Sequence, residues 1–329
     1  MHQMRAVTLA NYVEVADAIG LDGAQMLRQA GLSRNTLANP ENRLPARAVV
    51  SLLERSANQS GCENFGLLMA EMRSFASLGP LALLLERLPN VREMVRAGID
   101  FQRHMNDIFM PTVEEAGDSW LIRLDFVPGF WNVQAFDLSV ALGYKVLRAA
   151  TNNTWKPDCA HLVRKPPTDM APWRRLFACP VEFDSTFNGF STTQEAILRP
   201  NPNADEVMAR NARHLLNLVH VEKVDSTSDR VRRSITLMLP SGRGTIDQVA
   251  MQLGMSARSL QRRLDDDGRQ FGDLLNEVRR ELATSYLAES AQPITSVSGL
   301  LGYASPSSFS RWFAGAFGTS PQAWRAEHA

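Results

Sequence analysis

The stretch TIDQVAMQLGMSARSLQRRLDDDGRQF, residues 245–271, decides the fold of the C-terminal third. Ile246, Val249, Ala250 and Leu253 recur at helical spacing. Gly254 stops the run, and Ser256 stands where an N-cap would open a second helix over residues 257–264. A helix, a short turn and a second helix are therefore expected here. Gly268 closes the pair. Leu274, Leu275, Val278, Leu282, Tyr286 and Leu287 then mark a longer amphipathic helix of about 17 residues, 273–289, ending before Pro293.

Beyond the proline the pattern returns. Ile294, Val297 and Leu301 lead to Gly302 and Tyr303, then Ser305, then a helical stretch with Phe309 and Phe313 inward. The two units share Leu-Gly, a cap serine, an apolar residue four positions on, an arginine two later and another apolar residue two after that. Each element has a physical role. The serine satisfies free N–H groups at the helix start, the apolar pair seats the helix on its neighbour, and the arginine lies off the buried stripe. Such a helix fits the major groove of B-DNA, with its early residues at base edges. Successive grooves on one face lie about 34 Å apart. A linking helix of about 17 residues supplies ~25 Å of that distance.

Charge is distributed to match. The chain has 329 residues, 35 basic and 35 acidic, so overall charge attracts it to neither nucleic acid nor acidic membrane. Between Arg230 and Arg263, however, stand seven arginines (Arg230, Arg232, Arg233, Arg243, Arg258, Arg262 and Arg263) against a single acid, Asp247. From Leu264 to Glu289 seven acids face three arginines. A charge run alone describes a solvated face, and one helix carrying Arg and Gln reads as solubilised surface. The same skeleton written twice around a linking helix favours a nucleic-acid grip.

These stretches, with VRRELATSYL (278–287) and ITSVSGLLGYASPSSFSRWFAGAFGTSP (294–321), resemble the AraC/XylS transcription regulators over about 80 residues. The resemblance implies an all-α domain of two helix-turn-helix units joined by a long helix, a double-stranded DNA partner at promoter or operator, and no cofactor. It matches the family's base-reading positions to Arg258, Gln261 and Arg262 in the first unit and to Ser307, Ser310 and Arg311 in the second. Arg can engage both acceptors of a guanine, and Gln the edge of an adenine. The chain departs from the family pattern at Val297-Ser298, where Ile-Ala is usual, and at Pro306 in the first turn of the second recognition helix, where proline is tolerated. Arg311 and Arg325 are the only Lys or Arg after Glu289, so the first unit is expected to dominate affinity. A homodimer and contact with RNA polymerase are further implied partners. Two docking sites on one DNA gain from effective concentration.

Domain boundaries are expected at 1–222 for an effector-sensing or dimerisation domain, 223–229 for a polar linker, and 230–329 for the DNA-binding domain. The N-terminal part resembles the arabinose-binding-type domain attached to many such regulators. Cues are Gly79-Pro80-Leu81, Asn90-Val91-Arg92-Glu93, Gly117-Asp118 and Cys179-Pro180-Val181-Glu182-Phe183. Amphipathic helices are expected at 8–30, 46–59, 63–73, 79–88, 91–105, 132–151 and 203–220, and strands at 120–126 and 160–163. That mixture makes the domain α+β. A small-molecule effector would need an apolar pocket with a few polar anchors. Phe101, Arg103, His104, Phe130, Trp131 and Tyr144 are the candidate set, a basic end beside aromatic walls that suits an acid or amide; Phe101, Trp131 and Tyr144 equally fit a core.

No metal or catalytic motif emerges. The six histidines lack ligand spacing, Cys62, Cys159 and Cys179 form no Cys-x-x-Cys pair, and neither a phosphate loop nor a Gly-x-Ser-x-Gly elbow occurs. No enzyme is expected. The longest nearly apolar stretch, residues 78–85, is far short of the ~20 needed to span a bilayer. The expectation is a soluble protein of the bacterial cytoplasm, associated with the nucleoid when bound. The competing reading is an effector-sensing protein-interaction module with degenerate helix-turn-helix units.

Overall fold

The computed structural model describes residues 2–219, 226–242, 244–289 and 293–328. The chain folds as two compact units, N-terminal and C-terminal. The first is α+β and the second all-α.

In the N-terminal unit β1 (Gln3–Arg5) pairs antiparallel with β2 (Arg43–Pro45). Helices α1 (Tyr12–Ala18), α2 (Gly23–Gln29), α3 (Arg34–Ala38), α4 (Ala46–Ser60), α5 (Phe65–Met72), α6 (Pro80–Arg87) and α7 (Val91–Met105) follow around and after them. The helix expected over 8–30 is interrupted. Gly20 takes φ 85°, and Asp22 opens α2 by accepting the Gln25 N–H at 2.8 Å. An N-cap side chain competes with continuation of the preceding helix.

The main sheet has the order β3-β4-β7-β5-β6, from β3 (Phe109–Ala116), β4 (Ser119–Phe126), β5 (Cys159–His161), β6 (Val181–Glu182) and β7 (Gly189–Thr193). All neighbours are antiparallel except β5 and β6. The expected strands are present as β4 and β5. The sequence did not reveal β3, whose Pro111 is tolerated because the strand lies at the sheet edge. Helix α8 (Val133–Ala150) packs against β4, with Phe126 and Phe136 stacked 4.5 Å apart. Helices α9 (Ala171–Leu176), α10 (Gln194–Leu198) and α11 (Glu206–Val219) complete the unit. A Cβ on Gly66 would fall 2.0 Å from the Gln134 carbonyl oxygen, so α5 and α8 touch backbone to backbone only because that residue is glycine.

The C-terminal unit runs α12 (Thr227–Met238), α13 (Ile246–Gln252), α14 (Ala257–Asp266), α15 (Phe271–Glu289), α16 (Ile294–Leu300), α17 (Pro306–Phe317) and α18 (Pro321–His328). The stretch expected as linker is part helix: Ser226 caps α12 by accepting the Asp229 N–H at 3.1 Å, so residues 227–229 form its first turn. Residues 223–225 lie outside the described residues. Val231, Ile235 and Leu239 from α12 and the turn after it join Val249, Leu260, Leu264, Val278, Leu282, Val297, Phe309 and Phe313 in one core. Both helix-turn-helix units are thus fastened to the same linking helix. No helix among the described residues is long and apolar enough to cross a membrane.

Candidate functional site

Each recognition helix begins at a working cap. Ser256 Oγ accepts the Ser259 N–H at 3.2 Å, and Ser305 Oγ accepts the Ser308 N–H at 3.2 Å. Leu260 and Leu264 in α14, and Phe309 and Phe313 in α17, are buried, which turns the opposite helix face outward. Arg258, Gln261, Arg262, Ser307 and Arg311 are exposed and Ser310 is half-buried. The triplets 258/261/262 and 307/310/311 stand at identical offsets from their cap serines. Three and four residues apart, each triplet forms one face. Among the described residues none of these six side chains makes a hydrogen bond or ion pair with another. Their donors and acceptors remain available to a duplex.

Helix α15 sets the second unit by two arginines. Arg279 Nε donates to the Leu301 carbonyl at 3.1 Å, and its guanidinium lies 4.4 Å from the Tyr303 ring centre. Arg280 donates to the Ala316 carbonyl near the end of α17 and sits 5.2 Å from the Phe317 ring centre. Burial pushes the Tyr303 hydroxyl up to about 12, with Arg279 opposing. Further pairs tie the first unit down: Arg232 with Glu281, Arg269 with Glu277 at 2.5 Å, and Asp267 accepting from the Ser228 N–H and hydroxyl at 3.0 and 3.1 Å. At 19 residues, α15 is about 28 Å long.

Of the six effector residues expected from sequence, the side chains of four are described. Tyr144 is buried among Phe177, 4.7 Å away, and Phe190, 6.4 Å away, as core. Phe101 is also buried, and Phe130 is buried against Arg47. Trp131 is 64% exposed. The side chains of Arg103 and His104 lie outside the described residues. A cavity of about 200 Å³ opens between α6, α7, α8 and the sheet, and Phe101, Phe130, Trp131 and Tyr144 are not among the described residues that line it. Its walls include Leu81, Leu85, Met94, Leu124, Phe126 and Leu142, with Arg73 among its few polar side chains.

One potential metal-ligand group was also missed, because its members join across the parallel β5–β6 pair. Ligand atoms of Cys159, His161 and Glu182 lie within 4.8 Å of one another. His161 Nδ1 is 3.0 Å from Glu182 and Nε2 is 2.9 Å from Ser191 Oγ. Burial lowers the His161 pKa against the pull of Glu182. This network satisfies the imidazole without an ion.

The family model for the arabinose-binding domain of AraC transcription regulators, N-terminal, matches residues 20–201. The chain belongs to the AraC transcription regulators. A helix-turn-helix domain model matches residues 249–327, covering both recognition helices of this AraC-type protein. The HTH-type transcriptional regulator VirS of Mycobacterium tuberculosis is 26% identical over 327 residues, 98% of this chain and 96% of VirS. The ornithine utilization regulator of Pseudomonas aeruginosa is 23% identical, covering 93% and 91%. Among solved structures, the transcriptional regulator CdpR from Pseudomonas aeruginosa aligns over 96% of this chain and 98% of its own, at TM-score 0.45 and 19% identity. This AraC-type protein is a DNA-binding regulator of transcription.

Proposed function

We propose that Arg258, Gln261 and Arg262 read one major-groove segment and Ser307, Ser310 and Arg311 the next, and that a small molecule held in the N-terminal unit controls this binding. The carrying observation is the pair of outward triplets, equally offset from cap serines and unengaged by other described residues. In the groove, arginine and glutamine supply bidentate contacts to guanine and adenine, whereas the serines of the second unit accept either partner. The first unit therefore sets most of the sequence preference. The intact caps and the common core speak against degenerate helix-turn-helix units. In this reading the DNA-binding domain begins near residue 226, and residues before 220 carry the effector site and the surface for a second copy. The regulator acts in the cytoplasm as a homodimer, in contact with RNA polymerase at the promoter.

Selection of bound duplexes from a random pool tests this. The expected product is a motif with two information-rich segments about one helical turn apart, the first stronger. Enrichment of no motif would overturn sequence-specific reading.

A further inference from the structure

The cavity of the N-terminal unit contains an electrostatic imbalance. Arg73, at the end of α5, is only 5% exposed and lines the cavity. Its Nη2 donates to the backbone carbonyls of Thr8 and Ala10 at 2.5 and 3.4 Å, and its Nε is buried without a partner. No carboxylate among the described residues pairs with it. Burial accordingly pulls its pKa down to about 10. Other arginines shielded from solvent in the same unit have a carboxyl partner: Arg5 stands beside Glu41, and Arg164 beside Asp137. A buried charge without a counter-charge is costly, so proteins pair such groups or reserve them for a ligand.

The remaining lining defines the rest of that ligand. Leu78, Leu81, Leu85, Val95, Ile122 and Val146 typify the wall, and no acid is among the described residues that line it. Its other polar side chains are largely engaged: Asn106 Oδ1 accepts from the Ile108 and Phe109 N–H groups, and Ser139 donates to the Ala135 carbonyl. A polyol would leave hydroxyls facing leucine without partners. An apolar cavity of about 150 Å³ accommodates a benzene ring, and this one measures about 200 Å³.

We propose that the cavity is a receptor for an amphiphilic monocarboxylate, its anionic end on the Arg73 guanidinium and an apolar body of about six to ten carbons among the leucines. This assignment rests on the effector reading above and gives its ligand a chemical class.

The test uses the full chain, calorimetry and four probes: octanoate, octan-1-ol, L-arabinose and L-ornithine. Octanoate is expected to bind once per chain and octan-1-ol at least about tenfold more weakly, the factor carried by a charge-assisted hydrogen bond. Arg73→Met should abolish that preference. Because Arg73 also holds the Thr8–Ala10 backbone, a second variant is needed. Gly98 lies on the cavity wall, and a Cβ there meets nothing within 4 Å, so Gly98→Leu fills the space while leaving Arg73 intact. It should weaken octanoate and octan-1-ol together. Equal binding of octanoate and octan-1-ol, octanoate binding unaffected by Gly98→Leu, or no octanoate binding would each overturn the proposal. DNA affinity measured in parallel separates the two failures. Cavity-dependent octanoate binding that leaves DNA binding unchanged keeps the receptor and removes the effector reading. L-arabinose or L-ornithine binding in place of octanoate, and lost in Gly98→Leu, keeps the effector reading and removes the carboxylate.

Discussion

Arg262 stands six residues past its cap serine, exposed and without a described partner, so its removal should be felt on DNA rather than in the fold. Arg262→Ala is expected to cost about 1–3 kcal/mol at the selected site and to relax preference at one base position. Equal loss on random duplex in fluorescence titrations would reassign it to phosphate. The outward face was legible because a cap serine and apolar residues four apart fix it from local sequence. Asp137 was not. Its side chain is fully buried beside Arg164, 27 residues away in sequence, and burial pushes its carboxyl up to about 7 against the pull of that arginine. The folded chain therefore holds this proton more tightly than the unfolded chain. The resulting stability is present below the ordinary carboxylate range, is lost as pH rises towards 7, and then levels off. Denaturant melts of Asp137→Asn should lack that slope. Arg164→Met leaves an uncompensated acid and should cost on the order of 3–5 kcal/mol above neutrality, less at acid pH, where the carboxyl is protonated. A penalty independent of pH would show that packing, not charge, carries the effect. Arg73 escaped sequence reading for the same reason: burial of a charge is decided by segments distant in the chain.

Helices with strong caps or a proline start fell close to their expected limits. Helix α8 begins after Asn132, which accepts the Ala135 N–H at 2.9 Å, and α6 begins at Pro80. Short strands such as β7, Gly189–Thr193, carry little alternating pattern and are defined by their neighbours: a Cβ on Gly189 would lie 1.9 Å from the Ile122 carbonyl. The cavity was illegible because it forms where α6, α7 and α8 meet the sheet, while the aromatic residues expected from sequence fill the core or the surface. In the C-terminal unit α15 acts as a brace. Arg279→Met removes the hydrogen bond to Leu301 and the contact with Tyr303, and is expected to loosen the second unit by about 1–2 kcal/mol. Hydrogen exchange should quicken in α16 and α17 while α13 and α14 keep their protection. Uniform acceleration across the unit would contradict this local role. DNA footprinting of the same variant should lose the weaker segment first.

At the scale of the molecule, two DNA contacts per chain and a second copy bound to adjacent sequence would multiply modest affinities through effective concentration. Sedimentation of the full chain with and without its selected duplex should reveal a two-chain species; a monomer under both conditions removes the dimer. The division of labour among the arginines of the C-terminal unit bears on salt. Arg232, Arg269, Arg279 and Arg280 are held by carboxylates, carbonyls and rings of the protein itself. Side chains so occupied displace no condensed counterions when the duplex docks, and each phosphate neutralised contributes a slope of only about −0.9 to log affinity against log salt. A shallow slope, set by the cations that the protein leaves unoccupied rather than by the whole basic complement, would make this regulator tolerant of swings in cellular ionic strength.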